Sequence, residues 1–234
     1  MRKRPIKMGT EAGTKKPSVV AFAVAAISMC VCAAPLVDLS KHAETGIKIG
    51  DWETYYDNGQ TKSKGSYNEA GKLNGPYVEF YKNGKTRKEE TYGNGMKQDT
   101  ARSYYDNGEL RTEAIYDENG QKDGPFVEYY SNKKLKTKGF YRNGKMEGPW
   151  ETYYDDGKLE SKCTFSNDVP SGAYEVHYPK TGALKEQGAF INGKKDGVWE
   201  SYHENGKIKE RGAYSSGRIG NDDVYGNYHN QWQR

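Results

Sequence analysis

The sequence predicts an all-β protein: one elongated, curved sheet that runs as a single meander through about seven β-hairpin repeats of 24–25 residues, behind a short N-terminal leader helix. Three observations predict it. Segments led by Gly50, Gly75, Asp99, Gly124, Gly148, Gly172 and Gly197 carry aromatic residues at matching offsets, the signature of an internal repeat. Asn-Gly or a close substitute stands midway through each segment between alternating runs, a strong hairpin signal. Composition agrees: Leu, Ile, Val and Phe make 32 of 234 residues, against 28 glycines and 30 aromatics, so rings must supply most of the buried surface.

Residues 1–33 read as a signal peptide. Arg2, Lys3, Arg4, Lys7, Lys15 and Lys16 precede the uncharged, Val- and Ala-rich run Ser18–Ala34, and Val31-Cys32-Ala33 has the form of a cleavage site. The cut falls between Ala33 and Ala34, because one residue later it would put Pro35 first. The alternative is a membrane anchor over residues 18–37, about 20 residues and long enough to span a bilayer. In that case the basic N-terminus stays inside and the repeats lie outside. The expected address is therefore exported: periplasm, cell surface or extracellular medium. Met29 and Val31, just before Cys30 and Cys32, do not suit a lipidation site.

The leader holds six of the 36 Lys and Arg and one of the 32 Asp and Glu. The chain beyond the leader carries 30 bases and 31 acids, a net charge of −1 rather than +4. A basic, nucleic-acid-seeking protein is excluded on that balance. Cys163 alone lies beyond the leader, so the repeats have no internal disulfide.

A linker over 34–49 leads to the seven repeats over 50–220. Two residues into each unit stand Trp52, Tyr77, Ala101, Phe126, Trp150, Tyr174 and Trp199. Paired rings come next at Tyr55-Tyr56, Phe80-Tyr81, Tyr104-Tyr105, Tyr129-Tyr130 and Tyr153-Tyr154, with His177-Tyr178 and Tyr202-His203 in the last two units. A second strand ends on Tyr67, Tyr92, Tyr116, Tyr141, Phe165, Phe190 and Tyr214.

Reading Asn58-Gly59 and its counterparts as two-residue type I′ loops, with both residues at positive φ, fixes a register. Glu53 then faces Lys64, Glu151 faces Lys162 and Glu200 faces Arg211, while Arg102 faces Glu113 with both signs exchanged. Alternation separates two faces. One carries the large rings opposite small residues: Trp52 by Gly65, Phe126 by Gly139, Trp199 by Gly212 and Trp150 by Cys163, which makes that cysteine structural. The same face pairs Tyr105 with Leu110, Tyr130 with Leu135 and Tyr154 with Leu159. The other face carries the charge pairs and ring–cation pairs such as Tyr55–Lys62, Phe80–Arg87, Tyr104–Arg111 and Tyr129–Lys136. The ring face is expected to be the core and to line a groove; the charged face is expected to be solvated.

These units resemble the MORN repeat variant, most specifically in Gly148-Pro149-Trp150-Glu151-Thr152-Tyr153-Tyr154-Asp155-Asp156-Gly157-Lys158 and in Gly197-Val198-Trp199-Glu200-Ser201-Tyr202. The third unit departs, with Asp99 for glycine and Ala101 for the ring, and a local kink or weak spot is expected there. Residues 221–234, with Gly226-Asn227-Tyr228, read as a degenerate C-terminal cap. The resemblance implies a hairpin meander acting as an interaction scaffold. It also brings two associations: bacterial proteins with this repeat labelled as antitoxin components, and related repeats linked to membrane lipids.

No catalytic constellation is apparent. His42, His177, His203 and His229 are isolated, the glycines recur in turns rather than at helix starts, and Asp57-Asn58-Gly59 lacks the remaining ligands of a calcium loop. No cofactor and no metal are expected. The function expected is a non-catalytic exported repeat scaffold that binds a protein partner through its extended aromatic-rich β-sheet. Its candidate partner-binding or core aromatics are Trp52, Tyr56, Tyr77, Tyr81, Tyr105, Phe126, Tyr130, Trp150, Tyr154, Tyr174 and Trp199. The alternatives are an antitoxin or immunity-type protein and an envelope glycan- or lipid-binding module. Membrane contact is expected only through an uncleaved leader.

Overall fold

The structure is a computed structural model that describes residues 48–219. The expected leader helix and cleavage site, most of the linker and the expected cap over 221–234 lie outside the described residues. Each unit contributes a hairpin: β1 (Gly50–Tyr55) with β2 (Thr61–Tyr67), β3 (Gly75–Phe80) with β4 (Thr86–Gly93), and β5 (Met96–Tyr104) with β6 (Leu110–Tyr116). Next come β7 (Lys122–Tyr129) with β8 (Leu135–Arg142), and β9 (Lys145–Tyr153) with β10 (Leu159–Ser166). The last are β11 (Val169–His177) with β12 (Leu184–Ile191), β13 (Lys194–Tyr202) with β14 (Ile208–Ser215), and a short β15 (Arg218–Ile219). All fifteen pair antiparallel with their neighbours in sequence, giving one open meander sheet. The third unit shows no break, since β5 is nine residues long and pairs on both sides.

The mid-hairpin register matches the charge pairing: Glu53 faces Lys64, Arg102 faces Glu113, Glu151 faces Lys162 and Glu200 faces Arg211. Nearer the turn the expectation fails. The Gly59 N–H donates to the Tyr56 carbonyl and the Tyr56 N–H to the Gln60 carbonyl, so the loop has three residues. Gly59 alone of them takes positive φ, +80°. This is a type I turn closed by a left-handed glycine, not a type I′ turn. The Asn side chain explains the choice, because Asn58 Oδ1 accepts from the N–H of Gln60 and Asn83 Oδ1 from that of Lys85. The type I′ geometry appears instead between hairpins, at Asn94-Gly95, Asn143-Gly144 and Asn192-Gly193, where both residues have positive φ.

The three-residue loop shifts pairing by one, and a bulge restores it. Tyr55 faces Thr61 while Thr54 faces Ser63, leaving Lys62 as the extra residue. The expected pairings near the turn are corrected accordingly. Leu110, Leu135 and Leu159 face Tyr104, Tyr129 and Tyr153, rather than the next ring along. The bulged cations sit over the second ring of each pair: Lys62 over Tyr56, Arg87 over Tyr81, Arg111 over Tyr105 and Lys136 over Tyr130. These cations therefore share the ring face, where Arg87 also reaches Glu79 and Lys136 reaches Glu128.

The core is a stripe on one face of the sheet. Its buried side chains, Trp150, Trp199, Ala101, Ala114, Ser63 and Glu90, all lie on the ring face. Among the described residues no side chain is sealed completely, as a single-layer sheet requires.

Candidate functional site

The eleven candidate aromatics separate into two structural sets. Trp52, Tyr77, Phe126, Trp150, Tyr174 and Trp199 form the stripe. They pack with the strand-end rings in three clusters: Trp52–Tyr67–Tyr77–Tyr92, Phe126–Tyr141–Trp150 and Tyr174–Phe190–Trp199–Tyr214. The first gap in this contact chain falls at Ala101. The indoles also lean backwards. Trp150 faces Cys163 in register, but its ring covers Gly139 of the preceding hairpin, and Trp199 likewise covers Gly188. A Cβ on either glycine would fall inside the indole. Trp52, in the first unit, lies over its own hairpin partner Gly65 instead.

Tyr56, Tyr81, Tyr105, Tyr130 and Tyr154 form the second set, a clasp between units. Each hydroxyl donates to the carbonyl of the corresponding first ring position one unit on, at 2.7–2.8 Å: Phe80, Tyr104, Tyr129, Tyr153 and His177. Tyr178 continues the series to the Tyr202 carbonyl, and His203 ends it within the described residues. The turns stack in step, with Asn83, Asn107 and Asn132 Nδ2 donating to Asp106, Ser131 and Asp155 carbonyls. Both sets thus hold repeat to repeat.

The opposite face presents what these contacts leave free. One continuous row crosses β1 to β14 with one residue per strand: Glu53, Lys64, Val78, Glu89, Arg102, Glu113, Val127, Lys138, Glu151, Lys162, Glu175, Gln187, Glu200 and Arg211. Signs alternate along most of it, and several of the charges pair sideways. Arg102 reaches Glu113 at 2.6 Å, Lys138 reaches Glu151 at 2.7 Å and Arg211 reaches Glu200 at 3.1 Å. Hydrogen bonds from Lys138 and the Tyr153 hydroxyl hold the Glu151 carboxyl below its ordinary value, and those from Tyr202 and Gln187 do the same for Glu200. Burial, then the hydrogen bond to Glu89, pushes the Tyr104 phenol up to about 12. Exposed pairs of this kind add little stability, about 0–1 kcal/mol each, so the row is a surface rather than a brace.

Apolar residues flank the row and stand open to solvent, including Tyr55, Ile115, Phe140 and Val198. Where β11 to β13 carry the small residues Ala173, Ala189 and Val198, the face sinks into a recess of about 600 Å³ beside Lys162, Glu175, Gln187, Glu200 and Arg211. Sequence reasoning found these charges pair by pair but missed the row. Its pairing across unit boundaries depends on bulges that no single hairpin reveals.

The chemistry available is that of recognition. Cys163 is half-buried, and burial pushes its thiol up. His177 Nδ1 lies 3.1 Å from the Gly182 carbonyl oxygen, with Nε2 3.9 Å from Glu175. Among the described residues, no three His, Cys, Asp or Glu side chains are grouped to hold a metal ion. His42, His229, Ala33 and Ala34 lie outside the described residues.

A protein-family model described as the MORN repeat variant matches residues 48–69, 73–94, 100–118, 122–143, 146–167 and 195–215, more than half of the chain. The matched segments omit residues 168–194, although β11 and β12 pair in the sheet like their neighbours. No curated protein matches the chain.

Proposed function

The chain belongs to the MORN repeat variant family, and from that premise we propose that it is a non-catalytic scaffold that docks a protein partner on the charged face of its sheet. The observation that carries this reading is the fourteen-residue row with its open apolar flanks. Charges of alternating sign set the register of a docked partner and open apolar flanks supply contact area, and the row joins the two over the width of fourteen strands. The ring face has a different employment, since its aromatics pack on one another and its tyrosines clasp successive units.

The recess beside Glu175 and Val198 is the proposed anchor point. Val198 is 40% exposed on a floor of alanines. The Glu175 carboxylate has no Lys or Arg within 4.0 Å among the described residues, so a cation of the partner can complete it. Catalysis is set aside because the ionisable groups of this face stand on an open surface, many in sideways pairs, rather than in an enclosed site. The basic-then-apolar leader supports export. N-terminal sequencing of the natively produced protein tests that part, with a start at Ala34 expected and an intact cytosolic chain overturning it.

Docking is tested by cross-linking and quantitative co-purification from the native source with wild type, Val198→Asp, Glu175→Lys and the turn variant Lys180→Glu. A stoichiometric protein partner is expected whose retention falls at least about tenfold with the first two variants and not with the third. Equal retention by all four, or retention on peptidoglycan or anionic vesicles in place of a protein, would overturn the assignment.

A further inference from the structure

The one unit that lacks its ring holds a recess on the ring face. In six units a ring stands at the third position, but here it is Ala101, buried against Ala114. The small residue that such a ring would cover in the preceding hairpin is also replaced. Where Gly139 and Gly188 underlie Trp150 and Trp199, the β4 strand carries Glu90. The two changes compensate only in part. Glu90 turns its carboxylate into the vacated space, bound to Lys97 Nζ at 2.6 Å and accepting from the Tyr92 hydroxyl at 2.8 Å. About 330 Å³ remains open, lined by Ala101 and Ala114 and by the rings of Tyr116 and Phe126. That lies at the small end of ligand-pocket volumes.

Its charge is unbalanced. Lys97 and Lys122 both line the recess, and Glu90 is already taken by Lys97. The Lys122 ammonium stands 4.5 Å from the Tyr141 ring centre and 4.9 Å from that of Phe126. Among the described residues no carboxylate lies within 4.0 Å of it, since the other nearby acid, Glu128, serves Lys136. Burial, then the charge of Lys97, pushes the Lys122 pKa down, as for a cation short of a counter-ion.

The geometry points to a binding site for a small aromatic carboxylate, with the ring over Ala101 and Ala114 and the carboxylate on Lys122. The Tyr116 and Phe126 rings in the lining select a flat apolar group, because rings pack offset or edge-on against other rings. The surplus ammonium selects its charge. The recess shares no residue with the proposed docking anchor beside Glu175 and Val198 and does not depend on it.

Calorimetric titration of the full chain with benzoate and indole-3-acetate, against the neutral benzyl alcohol and indole, tests both selections. The acids are expected to bind at least about tenfold more tightly than their neutral counterparts, and Lys122→Gln to remove that advantage, as loss of a charge-assisted hydrogen bond does. Methyl chemical shifts of Ala101 and Ala114 are expected to move with the titration. Ala101→Trp fills the recess and should abolish binding. If that variant folds poorly, the double variant Ala101→Trp with Glu90→Gly restores the ring-over-glycine arrangement of the neighbouring units and should also be silent. No saturable binding of either acid at millimolar concentration overturns the site. Equal binding of acids and neutral compounds, or binding retained in the folded double variant, does so as well.

Discussion

Replacing Gly139 by alanine probes how one unit is locked to the next. The new Cβ would enter the Trp150 indole, which is 8% exposed and packed on Phe126 and Tyr141 at 5.7 and 5.0 Å between ring centres. Either the ring or the β8 backbone must move, and overpacking of this sort costs about 1–3 kcal/mol. Removing the ring itself costs more. An indole buries about 200 Å², and at about 25 cal/mol per Å² that is about 5 kcal/mol, so Trp150→Ala, which keeps one methyl, should lose about 4 kcal/mol. In the double variant the clash has no partner. Its loss should stay near that of Trp150→Ala alone, leaving a coupling of about 2 kcal/mol. Cys163→Ala is the control, because Cys163 faces Trp150 in register without lying beneath it, and its cost should stay below about 1 kcal/mol. Urea unfolding with amide exchange of β8 and β9 reads all four variants, the exchange serving because repeat arrays need not unfold in one step. Additive losses in the double variant, or a Cys163→Ala cost exceeding that of Gly139→Ala, would refute the backward-leaning indole.

Three further outcomes are expected. Asp99 sits at φ +60° in the place where other units have glycine, so Asp99→Gly should raise stability by about 1 kcal/mol in urea unfolding; a loss would show that the aspartate has a compensating contact. Tyr130→Phe removes the clasp to the Tyr153 carbonyl and should cost about 1 kcal/mol, whereas Tyr55→Phe, on a ring 58% exposed, should change the unfolding midpoint hardly at all. Equal costs would deny the clasp its role. Glu151 and Glu200 have carboxyls held below their ordinary 4.5 in the folded state, so their contribution is complete above that pH and is lost as pH falls through the folded value. The thermal midpoint should therefore drop on acidification below about 4.5, less steeply in Glu151→Gln, and a midpoint flat to pH 3 would count against it.

Much of the fold was legible because it is local. Alternation with period two, turn residues at fixed spacing and oppositely charged partners within one hairpin are properties of neighbouring residues. The Glu53–Lys64 and Arg102–Glu113 registers arise from them. The turn type was less legible, since Asn-Gly suits both loops and the choice rests on where the Asn side chain finds its hydrogen bond. That choice shifts pairing by one residue and moves Lys62, Arg87 and Lys136 to the ring face.

By itself the sequence determined an all-β repeat, the start of each hairpin, the mid-hairpin register and the split into a ring face and a charged face. The tertiary structure decided which glycine lies beneath which indole, that the second tyrosine of each pair clasps the following unit, and that fourteen strands align their charges in one row. It also decided that Glu90 and Ala101 together open a recess. The physical reason is how each pairing is specified. A hairpin's own turn residues set the register of its two strands, while contacts between units, whether Trp150 over Gly139 or Tyr130 to the Tyr153 carbonyl, depend on bulges and on which way a ring leans, and near-identical repeats offer several such pairings that only packing and bulge geometry tell apart.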